Sequence, residues 1–174
     1  MTTKTLENPS IYVGTYKKYN NGSIKGAWFD LTKFDCVEDF IEACEELHND
    51  EDDPELMYQD FENFPKELYS ESSICQSLFD YINLTDSERE ILDAYLKCIG
   101  GNIEEAINKY EEIYYGSYKS FSDFCFEHFN DNNDIPDHLD SYIDYDAVER
   151  NYYHDFSFAN GHVFFKNWTT KKGD

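Results

Sequence analysis

Residues 11–16 and 24–31 are rich in Ile, Val, Thr, Tyr and Trp, with Asn20-Asn21-Gly22 between them. That composition predicts two β-strands separated by a turn. Residues 56–61, entered after Pro54, supply a third strand. Between the second and third strands the period changes. Val37, Phe40, Ile41, Cys44 and Leu47 recur at helical spacing and form one apolar stripe. Asp35, followed three residues later by Glu38, reads as a capping box at the start of that helix.

Helical spacing continues through the middle of the chain. Residues 72–83 place Ile74, Leu78, Phe79 and Ile82 on one side. A second helix starts at the Thr85-x-x-Glu88 box, carries Ile91, Leu92, Tyr95, Leu96 and Ile99, and stops at Gly100-Gly101. A third is capped by Asn102 with Glu105 at its third position. It carries Ile103, Ala106, Ile107, Tyr110, Ile113 and Tyr114, and is expected to run to Gly116. A fourth, over 121–129, turns Phe124, Cys125 and Phe129 inward, and 130–136 is a polar loop. Residues 142–153 are helical by pattern. Residues 156–158 and 162–165 flank Asn160-Gly161, a hairpin signal, and Trp168 is expected to extend the hairpin before the tail frays from Thr169.

These elements predict an α+β chain, with an antiparallel sheet and a helix over residues 8–65, a helical bundle over 66–117 and a helix plus hairpin over 118–168. The length, 174 residues, allows one domain or a few very small ones. An aromatic fraction of 18% separates the chain from disordered acidic tails.

Charge changes the picture most. There are 37 Asp and Glu against 14 Lys and Arg, a formal charge of −23. Residues 1–33 are net positive, 34–65 carry 13 acids and no Lys or Arg, and acids dominate to Asp155. At one charge per ~1.7 Å of B-DNA axis, 23 charges correspond to roughly 39 Å, about 12 base pairs. A compact chain of this length has a radius of gyration of about 16 Å, hence a diameter near 40 Å. Its linear charge density is therefore comparable to that of duplex DNA. Acidic proteomes of salt-loving hosts reach similar totals. The excess of Lys over Arg, with abundant Asn and Ile, points instead to an AT-rich coding bias.

Such a surface repels nucleic-acid phosphates and anionic membranes, so the expected partner is a basic surface. No stretch approaches the roughly 18 apolar residues of a membrane span. Residues 1–10 are polar and do not read as a signal peptide, so a cytoplasmic protein is expected. The helix over 37–47 makes the charge argument locally. Its second face is Glu38, Asp39, Glu42, Glu45 and Glu46. The pairs 38/42, 39/42, 42/45 and 42/46 are like-charged at helical contact spacing, each costing roughly 0.2–0.5 kcal/mol. No Lys or Arg relieves them, whereas a merely solvated face mixes signs.

Catalytic chemistry has little support. Phosphate-cradling glycine motifs, the G-x-S-x-G elbow and H-E-x-x-H are absent from the sequence. His48, His128, His138, His154 and His162 are scattered and read as surface or hairpin residues. Cys125 and His128 share one helical turn, an incidental spacing. Cys36, Cys44, Cys75, Cys98 and Cys125 are odd in number and lack C-x-x-C, so reduced thiols serving mainly as core filler are expected. Asp50-x-Asp52 begins like a calcium loop, but position six is Glu55 where Gly is needed and position twelve is Phe61 where Glu is needed. Residues 131–140 lack the central Gly as well. With so many acids, a pair of carboxylates is no evidence for a glycosidase. No metal, cofactor or catalytic residue is expected.

Three stretches resemble a known family. They are IYVGTYKKYNNGSIKGAWFDL at 11–31, FIEACEELHNDEDDPELMYQDFENFP at 40–65 and YIDYDAVERNYYHDF at 142–156. Together they resemble the ArdA-type antirestriction proteins. The resemblance implies three-domain α+β proteins from plasmids, transposons and phages that form curved, elongated dimers mimicking bent B-DNA. It implies binding in the DNA groove of type I restriction–modification enzymes, chiefly the methyltransferase core with its specificity subunit, in the bacterial cytoplasm. No catalysis or cofactor is implied. The family dimerises through its C-terminal domain, which here points to 139–165, with Tyr142, Ile143, Tyr145 and Phe164 as candidate contacts.

The candidate mimic surface gathers the acids along the body of the chain. They are Glu38, Asp39, Glu42, Glu45, Glu46, Asp50, Glu51, Asp52, Asp53, Glu55, Asp60 and Glu62, then Asp86, Glu88, Asp93, Glu104, Glu105, Glu111 and Glu112. The C-terminal third adds Asp123, Glu127, Asp131, Asp134, Asp137, Asp140, Asp144, Asp146 and Glu149. A different class stays open: an acidic adaptor or chaperone that shields a basic partner protein without copying the shape of DNA.

Overall fold

The structure is a computed structural model in which residues 8–166 are described. The expectations for Trp168 and the tail lie outside those residues. The chain forms two compact units, one ending at Arg89 and one beginning at Glu90. Among the described residues it is α+β, with eight α-helices and two three-stranded antiparallel sheets.

In the first unit, β1 (Ser10–Thr15) is the central strand. It leads directly into α1 (Tyr16–Asn20), one short helix that the sequence pattern did not reveal. Thr15 caps it, its hydroxyl accepting the Lys18 N–H at 3.2 Å. After the turn at Gly22 (φ 78°), β2 (Ala27–Asp30) returns along β1. Next comes α2 (Val37–Leu47), whose N-cap is Cys36 with no side-chain cap bond. The expected Asp35–Glu38 box is therefore not formed. β3 (Leu56–Glu62) pairs with the other edge of β1, giving the order β2-β1-β3. A bulge at Gln59 keeps Tyr58 opposite Val13 and Asp60 opposite Tyr12.

Alternation along these strands sets the layers. Ile11 and Val13 are fully buried on the inner face, and α2 packs there through Phe40 and Cys44. Phe40 is the hub. Its ring meets Phe29 at 5.6 Å, Phe34 at 5.4 Å, Tyr58 at 6.1 Å and Phe79 at 5.9 Å. Phe79 comes from α3 (Gln76–Asn83), which starts four residues later than the pattern suggests. Burying a side chain of this size contributes about 1.5–3 kcal/mol.

α4 (Asp86–Cys98) opens with the expected reciprocal cap: Thr85 N–H donates to Glu88 Oε2 at 2.6 Å, and Glu88 N–H to Thr85 Oγ1 at 3.3 Å. Gly100 and Gly101, both at positive φ, end the turn that follows it. Asn102 caps α5 (Ile103–Ile113), accepting the Glu105 N–H at 2.8 Å. This helix stops before Gly116, and β4 (Tyr114–Ser117) replaces its expected last turn. Next come α6 (Phe121–Asp131), the single turn α7 (Asp137–Asp140) and α8 (Tyr145–Asp155). The predicted hairpin is β5 (Phe156–Ala159) with β6 (His162–Phe165), turning at Asn160 (φ 51°) and Gly161 (φ 88°).

The second sheet runs β4-β6-β5, so a strand from the segment expected to be wholly helical pairs with the C-terminal hairpin. Val163 faces Phe121, Phe124, Cys125 and Phe156 in a core that α8 also lines. Phe164 points to the opposite face, between Tyr95 of α4 (5.8 Å) and Tyr114 (5.6 Å).

Candidate acidic binding surface

The acids of α2 are displayed because the helix is amphipathic. Phe40 and Cys44 are drawn into the core, which leaves Glu38, Asp39, Glu42, Glu45 and Glu46 exposed. No ion pair among the described residues reaches any of the five. Eleven helical residues rise about 16 Å, so five carboxylates give one charge per roughly 3.3 Å. That is close to the charge spacing along one strand of B-DNA, about 3.4 Å.

The loop after α2 behaves differently. Lys18 of α1 pairs with Asp50 at 2.8 Å and Glu51 at 3.1 Å, and Lys25 pairs with Asp50 at 3.3 Å. The Lys18 hydrogen bond holds the Asp50 carboxyl down at about 2. Glu51 accepts the Thr15 hydroxyl at 2.7 Å, which with Lys18 lowers its pKa too. These two acids are tied down within the fold, whereas Asp52, Asp53 and Glu55 are exposed beside them. Beneath the loop sits His48, fully buried, not at the surface as its sequence context suggests. No local pattern flags it, because its partners Lys18 and Val13 lie 30 and 35 residues away.

Asp60 and Glu62 are exposed on the outer face of the first sheet. Asp86 and Glu88 are half-buried, Asp86 in an ion pair with Arg89 and Glu88 in the cap. Asp93 is exposed as a residue, but burial around its carboxyl and the charge of Glu90 push its pKa up. Glu104, Glu105, Glu111 and Glu112 are exposed on α5. On α6, Asp123, Glu127 and Asp131 are exposed four residues apart, a stripe of one carboxylate per turn. Asp134, Asp137, Asp140, Asp144 and Asp146 are exposed around α7 and the start of α8. Asp144 also caps α8 and lies 3.8 Å from Arg150. Glu149 is half-buried and accepts the Ser122 hydroxyl at 2.5 Å.

The four aromatic and aliphatic candidates separate by burial. Tyr142 is 82% exposed, whereas Phe164 is fully buried in its own unit. Ile143 and Tyr145 are half-buried, and the Tyr145 hydroxyl donates to Asp140 at 2.7 Å.

Burial pushes the Cys44 and Cys125 thiols up to about 12, so neither supplies a thiolate at neutral pH. His128 accepts or donates at 3.0 Å to the Tyr152 hydroxyl and lies in the aromatic core, its pKa lowered by burial. Among the described residues, no three His, Cys, Asp or Glu side chains are grouped to hold a metal ion. No helix among them is long and apolar enough to cross a membrane.

Exposed carboxylates are thus spread along both units of this α+β chain. The family described as antirestriction protein (ArdA) matches residues 11–165. The chain belongs to the ArdA antirestriction family. Membership implies an antirestriction function, exerted by an inhibitor on restriction–modification enzymes. No individual curated protein matches the chain. For this ArdA-family chain the match spans both units and all six strands except the first residue of β1.

Proposed function

We propose that this ArdA-family protein is a DNA mimic. It binds the DNA-binding groove of a type I restriction–modification enzyme, on the methyltransferase and specificity subunits, and so blocks access to DNA. The observation that carries this is α2: five exposed carboxylates at the charge spacing of one DNA strand, with no compensating cation among the described residues.

Restriction enzymes hold the duplex with Lys and Arg, and an acidic surface takes over those contacts while releasing the same counterions. Backbone charge carries no base sequence, so one inhibitor serves against enzymes with different recognition sites. The protein acts as a homodimer, whose doubled charge matches roughly 23 base pairs.

The test is a competition titration. A type I methyltransferase core holding a labelled duplex of about 30 base pairs is titrated with the protein at two salt concentrations. Mimicry requires displacement that weakens steeply as salt rises. A folded protein that leaves the duplex in place at both salts would exclude it.

A further inference from the structure

The outer face of the first sheet carries an aromatic patch that electrostatics alone does not require. Tyr12, Trp28 and Asp60 lie directly across the three strands from one another, and Ser10, Asp30 and Glu62 form the next row. Residues opposed in this way share a face. Trp28 is 46% exposed and meets the Tyr12 ring edge-on at 5.5 Å. Ile24, 77% exposed, lies beside them, and its carbonyl accepts the Tyr12 hydroxyl at 2.8 Å.

The patch is built, not incidental. A Cβ at Gly26 would lie 2.3 Å from the Val13 carbonyl oxygen and 2.9 Å from the Tyr12 ring, so only glycine lets this segment close over Tyr12. The neighbouring cation Lys25 is turned to Asp50.

We infer that Trp28, set on Tyr12 and flanked by Ile24, is an apolar anchor for an arginine-bearing basic surface, specifically that of the restriction–modification enzyme whose DNA groove the protein occupies. This rests on the mimic reading above. Charge complementarity selects the occupant. Asp60 and Glu62 are exposed on the same face, and the Asp30 carboxyl, held low by the Thr32 hydroxyl, stays ionised. A guanidinium stacks on the indole while pairing with a carboxylate beside it, whereas a lysine ammonium cannot do both as well. Fixed aromatic side chains lose little freedom on binding, which is why such residues dominate interface energetics. Because α2 covers the inner face of this sheet, its acids and Trp28 look out from opposite sides of the unit. A groove that closes around a duplex meets both.

The test uses the same titration with Trp28→Ala, Trp28→Phe and Asp60→Asn/Glu62→Gln, alongside tryptophan fluorescence in a Trp168→Phe background, which leaves Trp28 as the one indole. Trp28→Ala is expected to need about 30-fold more protein for half-displacement, with an unchanged salt slope because it removes no charge. Trp28→Phe recovers part of that loss, and the double acid variant flattens the slope. Target addition shifts Trp28 emission to the blue and protects it from acrylamide.

If Trp28→Ala displaces the duplex as well as the parent does, the anchor is wrong while mimicry stands. If the parent itself fails to displace the duplex, mimicry is wrong, and Trp28 shielding by the target would still establish the docking face. Absence of shielding then overturns both. Shielding that grows with protein concentration alone means a second copy covers the patch, and overturns the proposal.

Discussion

The Lys18 ammonium donates to Nδ1 of the buried His48 across 2.8 Å. An ammonium has no acceptor to offer, so Nδ1 carries the lone pair and the ring proton sits on Nε2. That nitrogen faces the Val13 carbonyl at 3.4 Å. The imidazole is therefore held neutral, and burial, then the Lys18 charge, lower its pKa.

The sign of the resulting pH dependence follows. In the unfolded chain His48 takes up a proton near pH 6.5, while in the fold it resists protonation. The unfolded state binds more protons as pH falls, so stability is full above about 6.5 and declines below it. Acidification also relieves the self-repulsion of a chain at −23, so absolute curves mix two effects. The urea midpoint of the parent is expected to drop relative to that of His48→Gln between pH 7.5 and 5.5. Parallel curves would show that His48 does not titrate differently in the two states.

Lys18 also bridges Asp50 and Glu51, and its own charged form is favoured despite burial. Lys18→Met leaves His48 Nδ1 without its donor and Glu51 without its cation. A loss on the order of 1–3 kcal/mol is expected in chemical denaturation. A variant as stable as the parent would mean that water replaces the ammonium at no cost.

The two helix caps make a paired prediction. Asn102→Ala removes the bond to the Glu105 N–H, and Thr85→Ala removes half of the reciprocal cap on α4. Each is expected to lower unfolding free energy by about 1 kcal/mol, read from denaturant midpoints with unchanged slopes. Restoring Ser at either position should recover most of the loss.

Those caps also mark what the sequence made legible. Thr85–Glu88, Asn102–Glu105 and Asn160-Gly161 are signals carried within four residues, and the structure forms all three. The exposure of the α2 acids followed from one apolar stripe. Non-local pairing was not legible. Tyr114 continues the helical period of α5, yet it belongs to β4 because its partner, Phe164, supplies a strand edge fifty residues later. Asp50 and Glu51 looked like any other acids in a run, and only the fold brings Lys18 to them. The same holds for the Tyr12–Trp28 pair, which the register of two strands creates.

Glu42 is the residue on which charge and stability meet. All four like-charged pairs on α2, with Glu38, Asp39, Glu45 and Glu46, include it. Glu42→Gln removes them together, and at roughly 0.2–0.5 kcal/mol each the helix gains about 1–2 kcal/mol. Glu38 and Asp39 remain in the first turn, where the helix dipole favours them. The variant should therefore melt higher than the parent at low salt, and the gap should narrow as salt screens the repulsion. Duplex displacement should change little, because many carboxylates share the surface. Neutralising Glu38, Asp39, Glu42, Glu45 and Glu46 together should weaken displacement and flatten its salt dependence. If the single variant gains no stability, the face is not under repulsion. If the five-fold variant displaces duplex as well as the parent, α2 lies outside the mimic surface.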